Sequence, residues 1–262
     1  MAARRFLSAL FILLFAAGSL TAQGLYYEST FEGGPMMGGP MVSKTIIMPK
    51  MMKYISGQDN DFMVMRMDKE KLYQIDTKEK SYWEMTFAEF EATMKKASAK
   101  MDKQMVEMEE HMKNLPEEQR KMMEQMMGGK MGKKGPEAKV TKTSETKKIG
   151  GYTCTKYIVK EGERVLVTVW TTKDVKAFDA IRKDYEAFSQ RMVSMNPGFM
   201  KGLTDAMFKI EGFPMETDFG QMKSTVTKVE QRSFSESEFT VPAGYTKKEP
   251  PLDEMMGGPE EN

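Results

Sequence analysis

Across residues 86–127 the apolar positions Phe87, Phe90, Met94, Ala97, Met101, Met105, Met108 and Met112 follow one another at steps of three or four. That interval stacks side chains on one stripe of an α-helix. Lys, Glu and Asp fill the other face. Thr86 and Glu89 have capping-box spacing: the hydroxyl accepts from the Glu89 amide while the carboxylate accepts from the Thr86 amide, so the helix is expected to begin there. Pro116, Glu117 and Glu118 read as a restart, because proline at a first helical position loses no internal hydrogen bond and carboxylates suit a helix N-terminus. Gly128 and Gly129 end the second helix.

Before this stripe the period is two. Strands are expected at 25–31, 42–48, 52–56, 62–67, 72–76 and 81–85, with a Gly, Met and Pro loop at 32–40 and polar turns at 57–60, 68–71 and 77–80. Short strands joined by such turns make an antiparallel meander. In 62–67 both alternating sets are partly apolar, Phe62 and Val64 on one side and Met63, Met65 and Met67 on the other, as in a sheet covered on both faces.

After a basic Gly and Lys linker at about 128–139, segments 148–160 and 164–172 read as a hairpin around Glu161-Gly162-Glu163. Val175, Phe178, Ile181, Tyr185, Phe188, Met192 and Met195 form a second helical stripe, stopped by Asn196-Pro197-Gly198. A short helical piece at 199–208 precedes Gly212-Phe213-Pro214, and strands follow at 225–234 and 239–241. From 245 onward the chain is rich in Pro, Glu and Lys and is expected to fray, leaving 246–262 a disordered tail. The order of elements predicts an α+β fold, helices packed on one face of an antiparallel sheet, in a single domain over 23–245 with the Met-rich helices as an insertion.

Composition changes this picture at three points. Residues 1–22 have the parts of a secretory signal: Arg4 and Arg5, an apolar run at 6–17, then small and polar residues. Cleavage after Ala22 would place the mature chain, beginning at Gln23, in the periplasm or outside the cell. No later run is long and apolar enough to span a bilayer as a helix. Lys and Arg number 39 against 38 Asp and Glu, and removal of the leader leaves 37 against 38, which gives no electrostatic footprint for nucleic acid. The sole cysteine, Cys154, excludes an intrachain disulfide, and its place between Thr153 and Thr155 on an expected strand suits a buried thiol.

Several segments together carry a resemblance: residues 145–157 (Glu-Thr-Lys-Lys-Ile-Gly-Gly-Tyr-Thr-Cys-Thr-Lys-Tyr), Val169-Trp170, Gly212-Phe213-Pro214, and 239–245 (Phe-Thr-Val-Pro-Ala-Gly-Tyr). They resemble a bacterial envelope family of unknown function that is itself similar to the lipoprotein-carrier-like group, LolA and LolB among them. The resemblance covers roughly residues 25–245. It implies a strongly curved, unclosed antiparallel half-barrel whose concave face holds helices and, in the characterised carriers, an acyl-chain pocket. It carries over no catalytic residue.

The candidate site is the space between the Met stripe and the sheet. Unbranched methionine adapts to apolar ligands of irregular shape, so Phe90, Met94, Met101 and Met105 from the helix and Met63, Met65, Trp83 and Trp170 from the strands are the candidate lining. The same residues can equally fill a core, in which case the charged face over 95–125 becomes a docking surface for an envelope protein partner. A third reading uses soft thioether sulfur for Cu(I), with Met36, Met37, Met108, His111 and Met112 as ligands. Met-Met-Gly-Gly recurs at 36–39, 126–129 and 255–258, but in glycine segments without fixed spacing, so no metal or other cofactor is expected. HExxH, GxSxG and phosphate-binding glycine loops are missing, His111 is the only histidine, and 59–61 (Asp-Asn-Asp) lacks the Gly and distal Glu of a calcium loop. The chain therefore reads as a non-enzymatic binder, its partner a lipid or lipoprotein acyl chain.

Overall fold

The computed structural model describes residues 21–34, 39–57, 60–113, 138–194 and 199–255. The leader through residue 20, Met36 and Met37, the second Met-bearing helix and most of the linker lie outside the described residues, as do 195–198 and the last seven positions. Six strands come first: β1 (Thr21–Gly33), β2 (Met41–Met48), β3 (Met51–Ile55), β4 (Phe62–Arg66), β5 (Lys71–Asp76) and β6 (Ser81–Thr86). Helix α1 (Phe87–Lys113) follows, then β7 (Lys139–Ile149), β8 (Tyr152–Glu161) and β9 (Arg164–Thr172). Helices α2 (Lys176–Ser194) and α3 (Phe199–Phe208) lead to β10 (Phe213–Asp218) and β11 (Met222–Ser235). A 3-10 turn (Glu236–Phe239), β12 (Thr246–Lys247) and α4 (Leu252–Met255) close the described chain.

Among the described residues all strands join one sheet, in the order β12-β6-β5-β4-β3-β2-β1-β11-β10-β9-β8-β7. Its ends, β12 and β7, do not pair with each other, so the sheet is open. Every neighbouring pair is antiparallel except β12 with β6. From β1 to β6 the register runs without a shift, so alternate residues fall into straight rows on each face.

Both faces of this half are covered. On one, Ile46, Met48, Phe62, Val64 and Ile75 are buried with Phe234 and Phe239. The other carries helices: Leu25 and Ile47 pack with Val175, Ala177 and Ile181 of the α2 region, and Met65 and Leu72 with Phe87 and Phe90 of α1. The two apolar sets within 62–67 thus belong to two different cores. Helix α3 covers β8 and β9, Leu203 and Ala206 lying against Val159, Val167 and Val169. Thr86 caps α1 as its spacing predicts: the Glu89 amide donates to Thr86 Oγ1 at 3.1 Å and the Thr86 amide to Glu89 Oε2 at 2.7 Å.

Three expectations are corrected. Gly150 and Gly151, at φ 55° and 86°, turn the chain inside the expected 148–160 strand, so Tyr152 onward forms a hairpin with β7, a strand the sequence does not announce. β7 is an edge strand of Lys and Thr, and with little apolar face to bury it lacks the alternation that marks inner strands. No strand forms at 239–241: Phe239, buried, ends the 3-10 turn, whose start Ser235 Oγ caps by accepting from the Ser237 amide. Nor does the chain fray from 246: the Thr246 amide donates to Lys80 O at 2.9 Å and the Lys248 amide to Tyr82 O at 2.7 Å. Tyr245 packs on the Phe234 and Phe239 core, and the Pro, Glu and Lys content that reads as a solvated tail serves to cover the β6 edge.

Candidate functional site

Strand register sorts the helix-bearing face into three rows. Leu25, Ile47, Met52, Met65, Leu72 and Met85 stand directly opposite one another across β1 to β6. All but half-buried Met52 are sealed from solvent. Two residues along, Tyr27, Thr45, Tyr54, Met63, Gln74 and Trp83 form the next row. Here only Thr45 is buried and the other five are half-open. Beyond it stand hydroxyls, Ser29 opposite Ser43 and Ser81 opposite Asp76. The face therefore grades from sealed apolar through amphipathic to polar, and the middle row presents aromatic and thioether surface with hydrogen-bonding tips.

Helix α2 walls this row. Phe213 meets Tyr27 and Phe178 edge to face, each with ring centroids 5.3 Å apart, which seats the helix start over β1. Its far end is held by Arg191, which pairs with Glu91 of α1 and with Glu70 in the β4–β5 turn, Nη1 to Oε1 3.3 Å, and lies over the Phe87 ring. The helix thus bridges from β1 to the β4–β5 turn. Tyr185, seven residues after Phe178 and so on the same helical side, keeps 39% of its surface open, yet desolvation pushes its hydroxyl upward. Tyr27 shares the effect: burial first, then the neighbouring Tyr185, push its hydroxyl up to about 12, against an opposing hydrogen bond with Thr45.

The residues singled out from sequence are only partly assembled. Met65 and Phe90 share a cluster with Leu72 and Phe87, while Met63 and Trp83 belong to the half-open row. Met94 is half-buried on α1; the side chains of Met101, Met105, Met108, His111 and Met112 are outside the description. Trp170 is not in this row, although it packs against the core cluster of Leu25, Ile47 and Ile181. In the sheet order β5, β4, β3, β2, β1, β11 and β10 separate its strand from that of Trp83, and Lys147 Nζ stands 4.4 Å from its ring centroid. Sequence reasoning misses Tyr27, Tyr54, Gln74 and Tyr185 as members of the site. For the three strand residues the signal is register: each occupies the same alternating position once the short turns are paired, but no single strand reveals it.

Other chemistry is sparse. Cys154 is fully buried, its Sγ 3.5 Å from Tyr152 O, and burial pushes the thiol upward. Among the described residues no three His, Cys, Asp or Glu side chains converge as metal ligands do, and no helix is long and apolar enough to cross a membrane.

No curated protein matches this chain. Two solved structures are similar at a low level. One, described as the structure of PNGF-II in a C2 space group, is 11% identical with a TM-score of 0.38, over 90% of this chain and 33% of that one, so the chain spans about a third of its length. The other, an uncharacterized conserved protein from Thermus thermophilus, is 5% identical with a TM-score of 0.41, over 86% of this chain and 90% of that one. The model of a domain of unknown function matches residues 88–245, more than half of the sequence, and the chain belongs to that family, DUF4412.

Proposed function

We propose that this is an exported, non-enzymatic envelope protein that binds or carries an apolar, acyl-chain-like ligand along the Tyr27 to Trp83 row. In this reading the sheet curves around α1 and α2 as in the LolA-like carriers, with the row lining its concave face. One observation carries the reading: a row of five half-open residues, three of them aromatic, lies between a sealed apolar row and a hydroxyl row, beside a helix whose Tyr185 keeps 39% of its surface open. An alkyl chain laid across β1 to β6 would meet Met63 and the faces of Tyr27, Tyr54 and Trp83, while Gln74 and Thr45 would fix a polar head. Each buried methylene contributes about 0.8 kcal/mol, so a chain of ordinary lipid length offsets the cost of association.

The test is native mass spectrometry of protein recovered from its own envelope without detergent. A mass increment matching a discrete acyl compound supports the reading, and its loss in a Met63→Glu variant places the compound on the row. Ligand-free protein throughout would leave the alternative, an interaction domain. That alternative draws on the exposed charged side of α1, where Lys95, Lys96, Lys103, Glu107 and Glu110 face solvent.

A further inference from the structure

Away from this row, the start of β7, the middle of β8 and the residues after α3 enclose a groove of about 530 Å³. Its apolar side is Ala138, Val140 and Tyr157, the tyrosine only 4% exposed. Lys139, Lys142 and Lys209 line it as well, against one carboxylate, Glu211. That carboxylate is already engaged: Lys173 Nζ lies 2.6 Å from its Oε2, and this ammonium, with Lys142 adding to it, holds Glu211 below the usual carboxylate range. Lys142 Nζ stands 5.9 Å from the Tyr157 ring centroid, so a cation leans over the apolar surface. Because β7 is the last strand of the sheet, no further strand covers this side among the described residues, and both Lys139 and Lys142 are exposed.

We propose that this groove binds an anionic amphiphile, its charged head on Lys142, which shares the strand face of Val140 and Tyr157, with Lys209 alongside, and its alkyl part along Ala138, Val140 and Tyr157. Lysines alone would collect small anions weakly, and an apolar strip alone would take any alkyl chain. Side by side, in a volume suited to a small ligand, they select a molecule that has both parts. The groove shares no residue with the Tyr27 to Trp83 row and is a second, separate site.

Amide signals of the full chain, followed by NMR during titration with dodecyl phosphate below its micelle concentration, test the proposal. Residues 138–142 and 209–211 are expected to shift saturably, with inorganic phosphate and dodecanol each at least tenfold weaker at those amides. The exposed charge reversal Lys142→Glu is expected to weaken dodecyl phosphate at least tenfold there while leaving the thermal midpoint in place, and Lys139→Glu, on the opposite strand face, is expected to weaken it less. The milder Lys142→Gln is expected to fall between that reversal and the parent. An equal response to inorganic phosphate or to dodecanol, or no loss in either Lys142 variant, would overturn the proposal. Shifts confined to the Tyr27 to Trp83 row would also overturn it, while leaving the acyl-binding reading of that row intact.

Discussion

Arg66 Nη2 donates to Glu236 Oε1 at 2.5 Å across 170 positions of sequence, from a side chain only 2% exposed. The same guanidinium holds Asp68 in a fork, Nε to Oδ1 2.8 Å and Nη2 to Oδ2 2.6 Å. It thereby ties the β4–β5 turn to the 3-10 turn that starts the chain's crossing toward the β6 edge. The two partners differ in exposure, and the consequences of removing them should differ too. Arg66→Ala, which removes three charged hydrogen bonds and the packing of a buried side chain while leaving only accessible carboxylates behind, is expected to cost about 2–5 kcal/mol. Glu236→Ala is expected to cost less than about 1 kcal/mol, since Glu236 is 55% exposed and the Asp68 fork remains. Urea denaturation of both variants checks the asymmetry.

The fork also sets an acid limit. The Arg66 guanidinium, by hydrogen bond first, holds the Asp68 carboxyl below its ordinary range. A carboxylate with a depressed folded value adds stability that is present above the unfolded value and is lost as pH falls through the folded one. Stability should therefore decline below about pH 4, and the Asp68→Asn variant, already lacking this contribution, should show a shallower decline. Denaturation midpoints between pH 7 and pH 3 measure it.

At the alkaline end, two adjacent tyrosines on opposite faces of β1 should ionise last. Burial pushes Tyr27 up to about 12, and Tyr26 is raised as far, by burial and by its 2.5 Å hydrogen bond to Glu28. Their unfolded values lie near 10, so the folded state loses stability as pH rises from about 10 toward 12. Absorbance titration of phenolate should show a late phase that shrinks in Tyr27→Phe and again when Tyr26→Phe is added.

Met65 is buried at 5% in the sealed row between Met52 and Leu72. Met65→Leu keeps its volume and is expected to cost under about 1.5 kcal/mol, while Met65→Ala opens a cavity and is expected to cost about 2–5 kcal/mol. Met63, its neighbour but one in the half-open row, should tolerate Ala at under about 1.5 kcal/mol, because partial exposure removes most of the transfer and cavity cost. Equal losses at the two positions, read from urea midpoints, would mean that the second row is core.

How much of this is legible in the sequence follows from where each signal resides. The capping box of Thr86 and Glu89 is local, so spacing alone locates the start of α1. The alternation in β4 is local too, and it correctly announces two covered faces. β7 escapes because an edge strand of Lys139 to Lys148 has little apolar alternation, and Lys148 and Ile149 read into the wrong strand because paired glycines turn the chain just after them. The Thr246 and Lys247 pairing is hidden for a different reason: its partners, Ser81 and Tyr82, are remote in sequence, and charge pairs such as Lys247 with Glu84 look like solvated residues until the edge is in view. The row itself is non-local. Met63 and Trp83 can be named from their strands, but Tyr27, Tyr54 and Gln74 join them only through five consecutive registers.

An apolar ligand on that row should be sensed by Trp83, whose fluorescence in a Trp170→Phe variant is followed during titration with neutral monoacylglycerols of increasing chain length. Saturable changes are expected at Trp83, with affinity rising up to about fourfold per added carbon until the row is covered, and a weakened response in Tyr54→Ser. A flat dependence on chain length, or a response carried by Trp170 in the complementary Trp83→Phe variant while Trp83 stays silent, would contradict this placement.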